Sequence, residues 1–275
     1  MALSINTNPT SLNAQRNLSS AQSKLSMNLG RLSSGLRINQ AADDAAGLGI
    51  SEKMRAQIKG LAQASRNAND GVSMIQVAEG AMNEQAGILT RLRELAVQSA
   101  NGTLGTTERG YITTESTEAL AELDRISAVT DFNGVKMLGA NAGTQSMQVG
   151  TGSGANDRID ITFTQTDSAT LFGGATIDLS SAATSRTALD DIDTAISTLS
   201  TSRAAVGSSQ NRLVITMNNL SVAKENISAA ESRIRDVDVA EETAAMTRNQ
   251  ILSQAGVSVL AQANQLPSAA LKLLG

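Results

Sequence analysis

The chain has 275 residues and a net charge of −4, and its 22 basic residues form no run, which excludes the electrostatic pattern of a nucleic-acid-binding protein. Aromatic residues make up 1% of the chain, too few to build stacking platforms for bases or sugars. With no Cys and no His, the sequence lacks thiolate nucleophiles, disulfides, the usual zinc ligands and His-dependent catalytic pairs. We therefore predict no catalytic, cofactor-binding or metal-binding residues.

The pattern of apolar residues over 1–40 predicts one narrow amphipathic helix. Asn8-Pro9 favours a helix start, because proline is tolerated in the first turn, and Gly35 favours a left-handed cap at its end. Apolar side chains repeat every seventh position: Leu18, Leu25 and Leu32. A stripe this narrow buries too little apolar surface to offset the entropy of ordering the helix, so we expect it to need a partner.

Residues 41–165 begin with a long predicted helix over about 44–100, which Asp43-Asp44 are placed to cap. Its main stripe repeats every seventh residue: Leu61, Ala68, Ile75, Met82, Leu89 and Ala96. The companion row that we expect beside it is Ile58, Ser65, Val72, Glu79, Ala86 and Arg93. A shorter helix is predicted over about 106–129.

Two short strands are predicted in the middle of the chain. Asp131–Val135 contains Asn-Gly, which accepts positive φ and favours a hairpin turn. Residues 146–149 and 158–163 alternate apolar and polar side chains, and a glycine-rich connector over 150–156 joins them. The connector is not a phosphate-binding loop, because no Gly-Lys-Ser/Thr follows its glycines. Residues 166–185 are predicted to be a short, variable surface loop.

Residues 186–235 predict the long helix around which the chain is organised. Branched aliphatic side chains occupy every seventh position: Ile192, Leu199, Val206, Leu213, Leu220, Ile227 and Ile234. The companion row expected beside them is Leu189, Ile196, Arg203, Gln210, Met217, Lys224 and Glu231. A repeat sustained this long is typical of one long helix packed along another. We predict a mainly α-helical fold, a long antiparallel coiled-coil rod with a small β-hairpin region.

Residues 236–275 predict a second narrow amphipathic helix after a break at 236–238. Its apolar row is Ala245, Leu252, Val259, Leu266 and Leu273. Pro267 is expected to kink or interrupt its final turns. We expect the two terminal helices to pair with each other and with neighbouring copies. A membrane role is not favoured, because neither end is basic, no stretch approaches a membrane span, and the start does not resemble a secretory signal peptide.

The sequence closely resembles bacterial flagellins. The matching blocks stand in the family's order and span nearly the whole chain. They are 5–8, 31–39, 43–47, 60–61, 64–71, 93–101, 132–136, 250–252, 255–256 and 259–265. Each block by itself is a modest match, but together they are very specific.

The resemblance implies both an architecture and a function. Residues 1–40 and 236–275 would form a helical inner core, and residues 41–165 and 186–235 an outer core. The chain would be the subunit that polymerises into the helical flagellar filament for swimming motility. It would be exported unfolded, with termini that fold on assembly. The residues expected to mediate inner-core assembly are Leu18, Leu25, Leu32, Leu252, Val259 and Leu266, and those expected to pack the outer core are Leu61, Ile75, Met82, Leu89, Leu199, Leu213, Leu220 and Ile227.

The resemblance also implies partners. They are the chain itself as a helical homopolymer, the flagellar type III export apparatus, a chaperone on the C-terminal segment, the filament cap and the hook-junction proteins. The implied location is the bacterial flagellum, outside the cell. The family's segment for the Toll-like innate receptor matches at Arg91, Leu95 and Glu115.

Two other functions stay open on the residues alone. A hook–filament junction protein shares similar termini, although the intact blocks at 93–101 and 131–136 favour a flagellin. A coiled-coil adaptor explains the stripes but not the paired terminal motifs. An enzyme is not favoured, because carboxylates at helical spacing are explained by solvated helix faces.

Overall fold

The computed structural model describes residues 7–272, with side chains up to residue 265. Its helices are α1 (Pro9–Ser34), α2 (Ala45–Ser99), α3 (Thr106–Val129), α4 (Ser168–Leu171), α5 (Ala182–Arg235) and α6 (Val239–Lys272). Its strands are β1 (Asp131–Phe132), β2 (Val135–Lys136), β3 (Thr144–Gln148) and β4 (Arg158–Thr162). This mainly α-helical chain with a small hairpin region confirms the predicted fold class.

The chain forms two compact units. Residues 1–56 and 226–275, so far as they are described, make up the terminal unit, and residues 57–225 make up the central unit. The boundaries lie inside α2 and α5, whereas the sequence placed them at 40/41 and 235/236. The start of α2 and the end of α5 belong to the terminal unit, where Glu52 Oε1 accepts a hydrogen bond from Arg235 Nη1.

In the central unit, α2 and α5 run antiparallel. Arg93 Nε lies 2.7 Å from Asp193 Oδ1, and Gly71 lies against Leu213, so the residue numbers rise along one helix as they fall along the other. The predicted stripes form the core: Leu61, Ile75, Met82, Leu89, Leu199, Leu213 and Leu220 are buried. Ile227, in the terminal unit, is only partly buried.

The companion rows predicted for α2 and α5 flank the buried stripes and are confirmed only in part. Val72, Ala86, Leu189, Ile196 and Met217 are partly buried against the core, whereas Glu79, Arg93 and Lys224 are exposed. The buried companions on α2 lie three residues after the main stripe, at Ala64, Gly71, Ala78, Gln85, Leu92 and Ser99. Those on α5 include Ala188, Ala195, Ser202 and Ser209. Most side chains in these two rows are small. Two helices can pack closely where small side chains of one face larger side chains of the other.

Two antiparallel hairpins close the central unit. Phe132 pairs with Val135 across a turn in which Asn133 (φ 51°) and Gly134 (φ 80°) both take left-handed conformations, as the Asn-Gly pattern predicts. β3 pairs with β4 from Thr144–Thr162 to Gln148–Arg158. Ile159 and Ile161 of β4 are buried, and Ile161 lies beside Gly71 of α2, where an added Cβ would be crowded by Leu213 and by Met147 of β3.

Residues 166–185 are not a loose surface loop. Leu171, Phe172 and Leu179 are buried in the hydrophobic core, and α4 lies within the segment. Asp124 accepts hydrogen bonds from the backbone N–H and the hydroxyl of Ser168. The sequence did not predict these buried residues, because three spaced apolar residues in a Ser- and Gly-rich segment produce no periodic signal.

The terminal unit contains α1 and α6 side by side. Asn8 caps α1 by accepting a hydrogen bond from Ser11 N at 3.1 Å, and Gly35 ends it at φ 72°, as predicted. The breaks after α1 and before α6 join through an isolated bridge between Leu36 and Asp236. Helix α6 continues through Pro267 to Lys272, so the expected interruption is absent from its backbone.

Candidate assembly surfaces

A seam of small residues joins α1 and α6 in the terminal unit. The inward row of α1 is Ser11, Ala14, Leu18, Ala21, Leu25, Asn28 and Leu32, and that of α6 is Glu242, Met246, Asn249, Ser253, Gly256, Leu260 and Ala263. Both rows alternate steps of three and four, which is the spacing of a coiled-coil seam. Among the described side chains of these helices, only Ala14, Ala21, Asn28 and Ala263 are buried, each still 5–8% exposed.

Contacts along the seam show that α1 and α6 are antiparallel. Asn8 Nδ2 donates to Ala263 O at 2.8 Å, and Ser11 Oγ donates to Asn264 Oδ1 at 2.8 Å. Further along, a Cβ placed on Gly256 would lie 3.3 Å from Leu18 Cδ1. The glycine therefore lets the two helices approach closely.

The predicted assembly residues occupy two different settings. Leu18, Leu25 and Leu32 lie in the seam and are partly buried, whereas Leu252 and Val259 lie outside it, each 52% exposed. The side chain of Leu266 lies outside the described residues. The buried row of α6 is thus out of phase with the predicted row.

Sequence reasoning missed further exposed apolar side chains on these helices. Ile251 and Val257 of α6 are 60% and 55% exposed, and Leu12 and Leu29 of α1 are 56% and 51% exposed. Together with Leu252 and Val259 they make up what we call the apolar terminal surface, a set of exposed aliphatic groups on several sides of the two helices rather than on one face. A count of apolar residues outside the seven-residue row would have found them. Aliphatic groups on the outer faces of a helix pair contribute nothing to its own packing, so they indicate a further contact.

Ion pairs hold the two breaks of the terminal unit together. Arg31 Nη2 lies 3.6 Å from Asp43 Oδ1, and Arg31 Nη1 lies 3.9 Å from Glu242 Oε2. The backbone N–H groups of Gln40 and Asn39, with Arg31 in support, lower the pKa of Asp43. The hydrogen bond from Arg235 likewise lowers the pKa of Glu52. Both shifts favour the ionised carboxylate, that of Asp43 at the turn between α1 and α2 and that of Glu52 within α2.

The three residues of the predicted receptor contact do not share one surface. Arg91 Nη2 lies 2.7 Å from Glu115 Oε1, and both side chains are about half exposed. The hydrogen bond that Arg91 donates to Glu115, and then the one it donates to Glu94, raises the pKa of Arg91. Leu95 is only 1% exposed, because it belongs to the buried side of α2. It therefore cannot touch a partner while the central unit is folded.

No helix in the described part of the chain, residues 7–272, combines the length and apolar character that crossing a bilayer requires.

Family models match most of the chain. The model described as "Bacterial flagellin N-terminal helical region" matches residues 5–143, and "Bacterial flagellin C-terminal helical region" matches residues 189–274. A flagellin of Halalkalibacterium halodurans is 46% identical, over 98% of this chain and 99% of its own length. The "Flagellar filament 33 kDa core protein" of Treponema phagedenis is 43% identical, over 98% and 99% respectively.

Solved structures agree with these relatives. The crystal structure of Bacillus cereus flagellin is 31% identical, with a TM-score of 0.51 over 60% of this chain and 94% of that one. A putative flagellar hook-associated protein from Vibrio parahaemolyticus has a TM-score of 0.60 over 70% of this chain and all of its own, but at 15% identity it shows the fold alone. On its helical regions at both ends and its full-length relatives, the chain belongs to the bacterial flagellin family.

Proposed function

We propose that this chain polymerises into the flagellar filament through the apolar terminal surface. The observation that carries the proposal is the large aliphatic side chains that α1 and α6 leave in water, at 51–60% exposure. Burying apolar surface contributes about 25 cal/mol per Å², so covering these side chains with a second copy would be favourable. The surface is therefore the part of the chain that gains most from assembly.

Folding of the terminal unit is coupled to this assembly. The seam of α1 and α6 consists mainly of Ala, Ser, Gly and Asn, with leucines only partly covered. Such a seam offsets little of the entropy of ordering, which is about 1–2 kcal/mol per residue. In the free subunit these helices form weakly, and neighbouring copies complete their burial.

Repeated head-to-tail contacts that do not close into a ring generate an open helical polymer, the form that a propelling filament needs. A chain whose ends fold only at the growing tip can also be exported unfolded. The remaining steps of the proposal follow from the resemblance to flagellins: passage through the type III export apparatus, a chaperone on the C-terminal segment, and delivery outside the cell between the hook-junction proteins and the cap.

Two alternative functions are less well supported. The full-length relatives at 43–46% identity carry flagellin or filament names, whereas the hook-associated structure matches at 15%. A hook–filament junction protein is therefore not favoured, and neither is a coiled-coil adaptor. The flagellin family is a structural protein family, and we propose no catalytic role for this member.

We propose a Toll-like receptor for flagellin as a second partner of the free chain. The exposed pair Arg91 and Glu115 would supply its polar contacts, and Leu95 would only hold α2 in place from within. Pure monomer of the Arg91→Ala variant should activate receptor-bearing reporter cells less than the unchanged monomer. An equal response would remove this surface from the receptor site.

Seeded polymerisation tests the assembly proposal. Purified monomer is mixed with short filament seeds and followed by electron microscopy, with far-ultraviolet circular dichroism recorded alongside. Long filaments should grow while helicity rises. Leu252→Asp and Val259→Asp, which place a charge on the apolar terminal surface, should abolish elongation.

The matched control is Asn17→Asp. It adds the same charge to an exposed position of α1, about 140° round from Leu12 and about 120° round from Leu29, and removes no aliphatic group. Elongation by this variant should exceed that of Leu252→Asp. If Leu252→Asp and Val259→Asp elongate as fast as the unchanged chain, this surface does not mediate assembly.

A further inference from the structure

The corner between α2 and α3 arranges several groups around one reactive peptide unit. Asn101-Gly102 follows α2, and both residues are exposed. An asparagine before a glycine is open to attack on its side-chain amide by the next backbone nitrogen, because glycine has no Cβ to hinder the approach. The chain contains a second such pair, Asn133-Gly134, in the β1–β2 turn.

At the first pair, a backbone N–H fixes the side-chain carbonyl oxygen. Thr103 N donates to Asn101 Oδ1 at 3.3 Å, which closes an Asx turn. The ring of that turn contains both Asn101 Cγ and Gly102 N, so the turn restricts the movement of one reacting atom relative to the other. The same N–H points at the oxygen on which negative charge develops during attack, as a donor in an oxyanion hole does.

A cation lies beside the carbonyl oxygen of the same peptide unit. Arg109 Nη2 donates to Asn101 O at 2.9 Å, while Arg109 Nε donates to Ser99 O at 3.1 Å. When Gly102 N loses its proton, the negative charge is shared with Asn101 O. The guanidinium therefore stabilises the nucleophilic form of the peptide. No acceptor among the described residues engages the Gly102 N–H itself.

The second pair has the opposite surroundings. Gly134 N donates to Asp131 Oδ2 at 3.1 Å, so a carboxylate holds the proton that would have to leave. The negative charge opposes formation of a second negative charge on the nitrogen. The hairpin pairing of Phe132 with Val135 also fixes the turn.

We propose that Asn101-Gly102 is a self-modifying site, at which Arg109 and Thr103 promote deamidation of Asn101, while Asp131 protects Asn133. Gly102 N gives up its proton to solvent base and bonds to Asn101 Cγ, and the bond from Cγ to the side-chain nitrogen breaks and releases ammonia. Water then opens the resulting succinimide, giving aspartate or isoaspartate at position 101. Each deamidation adds one negative charge at position 101, beside Arg109. The charge of the corner between α2 and α3 therefore changes as the chain ages.

Peptide mapping by mass spectrometry of the folded full-length chain tests the proposal. The chain is incubated at mildly alkaline pH, and deamidation of each Asn-Gly pair is followed with time. A parallel sample is unfolded in guanidinium chloride. The two pairs should react at similar rates when unfolded, whereas Asn101 should react much faster than Asn133 when folded. Similar rates in the folded chain would overturn the proposal.

Two variants distinguish activation of Asn101 by Arg109 from a general loosening of the corner between α2 and α3. Arg109→Gln should slow deamidation of Asn101 by roughly tenfold, the effect of one charge-assisted hydrogen bond on the transition state, and leave Asn133 unchanged. If Arg109 only held the corner rigid, its loss would leave the Asn101 rate unchanged or raise it, and either result would overturn the proposal. Asp131→Asn should raise the rate at Asn133 alone, and circular dichroism checks that both variants are folded.

Discussion

At the scale of single residues, buried hydroxyl groups hold the irregular segments of the central unit to its helices. Ser99 is fully buried, and its Oγ donates to Leu179 O at 2.6 Å. Ser127 does the same for Leu138 O at 2.6 Å. Neither contact joins neighbours in sequence, so the pattern of apolar residues gives no hint of them.

Ser99→Ala should lower the free energy of unfolding by about 1–3 kcal/mol, because the carbonyl of Leu179 is left buried without its donor. Urea denaturation followed by circular dichroism measures the change. Ser73→Ala is the matched control in the same helix, since Ser73 is exposed and bonds only to Asn69 O one turn earlier. Equal effects of the two substitutions would show that the Leu179 contact contributes nothing.

Asp43 should make the stability of the terminal unit depend on pH. Hydrogen bonds from Gln40 N and Asn39 N lower its pKa in the folded chain. A lowered pKa stabilises the fold above the unfolded value of about 3.9 and loses that effect as the pH falls through the folded value. The advantage of the unchanged chain over Asp43→Asn should therefore be present at pH 7 and vanish in strong acid.

Thermal melting of filaments assembled from each chain, in which the terminal unit is folded, checks the expectation across this pH range. Asp70→Asn, at an exposed position of α2, controls for the loss of one charge. A gap between the unchanged chain and Asp43→Asn that stays constant down to strong acid would contradict the role given to the Asp43 carboxylate.

At the scale of the helices, two glycines have different roles: one lies at a close contact between elements and the other at an open surface. Gly207 of α5 has nothing within 4 Å of an added Cβ, whereas an added Cβ on Gly71 of α2 would lie 3.2 Å from both Leu213 Cδ1 and Met147 Cγ. The first glycine only weakens its helix, and the second makes room for the neighbouring helix and hairpin.

Gly207→Ala should raise the free energy of unfolding by up to about 1 kcal/mol, the difference in helix propensity. Gly71→Ala should gain clearly less, or destabilise, because the gain in propensity is opposed by overpacking. The midpoint of urea unfolding gives the comparison. An equal gain for both variants would mean that α2 does not approach α5 and the hairpin as closely as described.

At the scale of the whole molecule, the two units differ in how much they bury. The central unit holds a contiguous core built from α2, α3, α5 and the hairpin region. In the terminal unit, α1 buries only Ala14, Ala21 and Asn28. A filament subunit that is exported before it assembles would need this contrast.

Hydrogen exchange should reveal the contrast. Amides of α1 and α6 should exchange faster than those of α2 residues 61–99 in the free chain, because little buried surface opposes their opening. In assembled filaments the terminal amides should become protected. Slow exchange of the terminal helices in the monomer would contradict folding on assembly.

The sequence by itself determined the long helices, the caps of α1 and the Asn-Gly hairpin turn, because these depend on residues a few positions apart. The Asn8 cap, the Gly35 terminus and the Asn133-Gly134 turn all lie where local rules placed them. The seven-residue repeat likewise determined that long helices pair, since only a partner helix buries such a stripe.

Only the tertiary structure decided which row of side chains is buried beside each seven-residue stripe of α2 and α5. It also decided which apolar side chains remain exposed to solvent. The small residues of the α2 and α5 companion rows have little hydrophobic signal of their own, and their burial depends on the shape of the partner. Leu95 lies inside and Leu252 outside for the same reason. Burial is a property of the packed helix and its neighbours, and the spacing along one chain determines its period but not its phase.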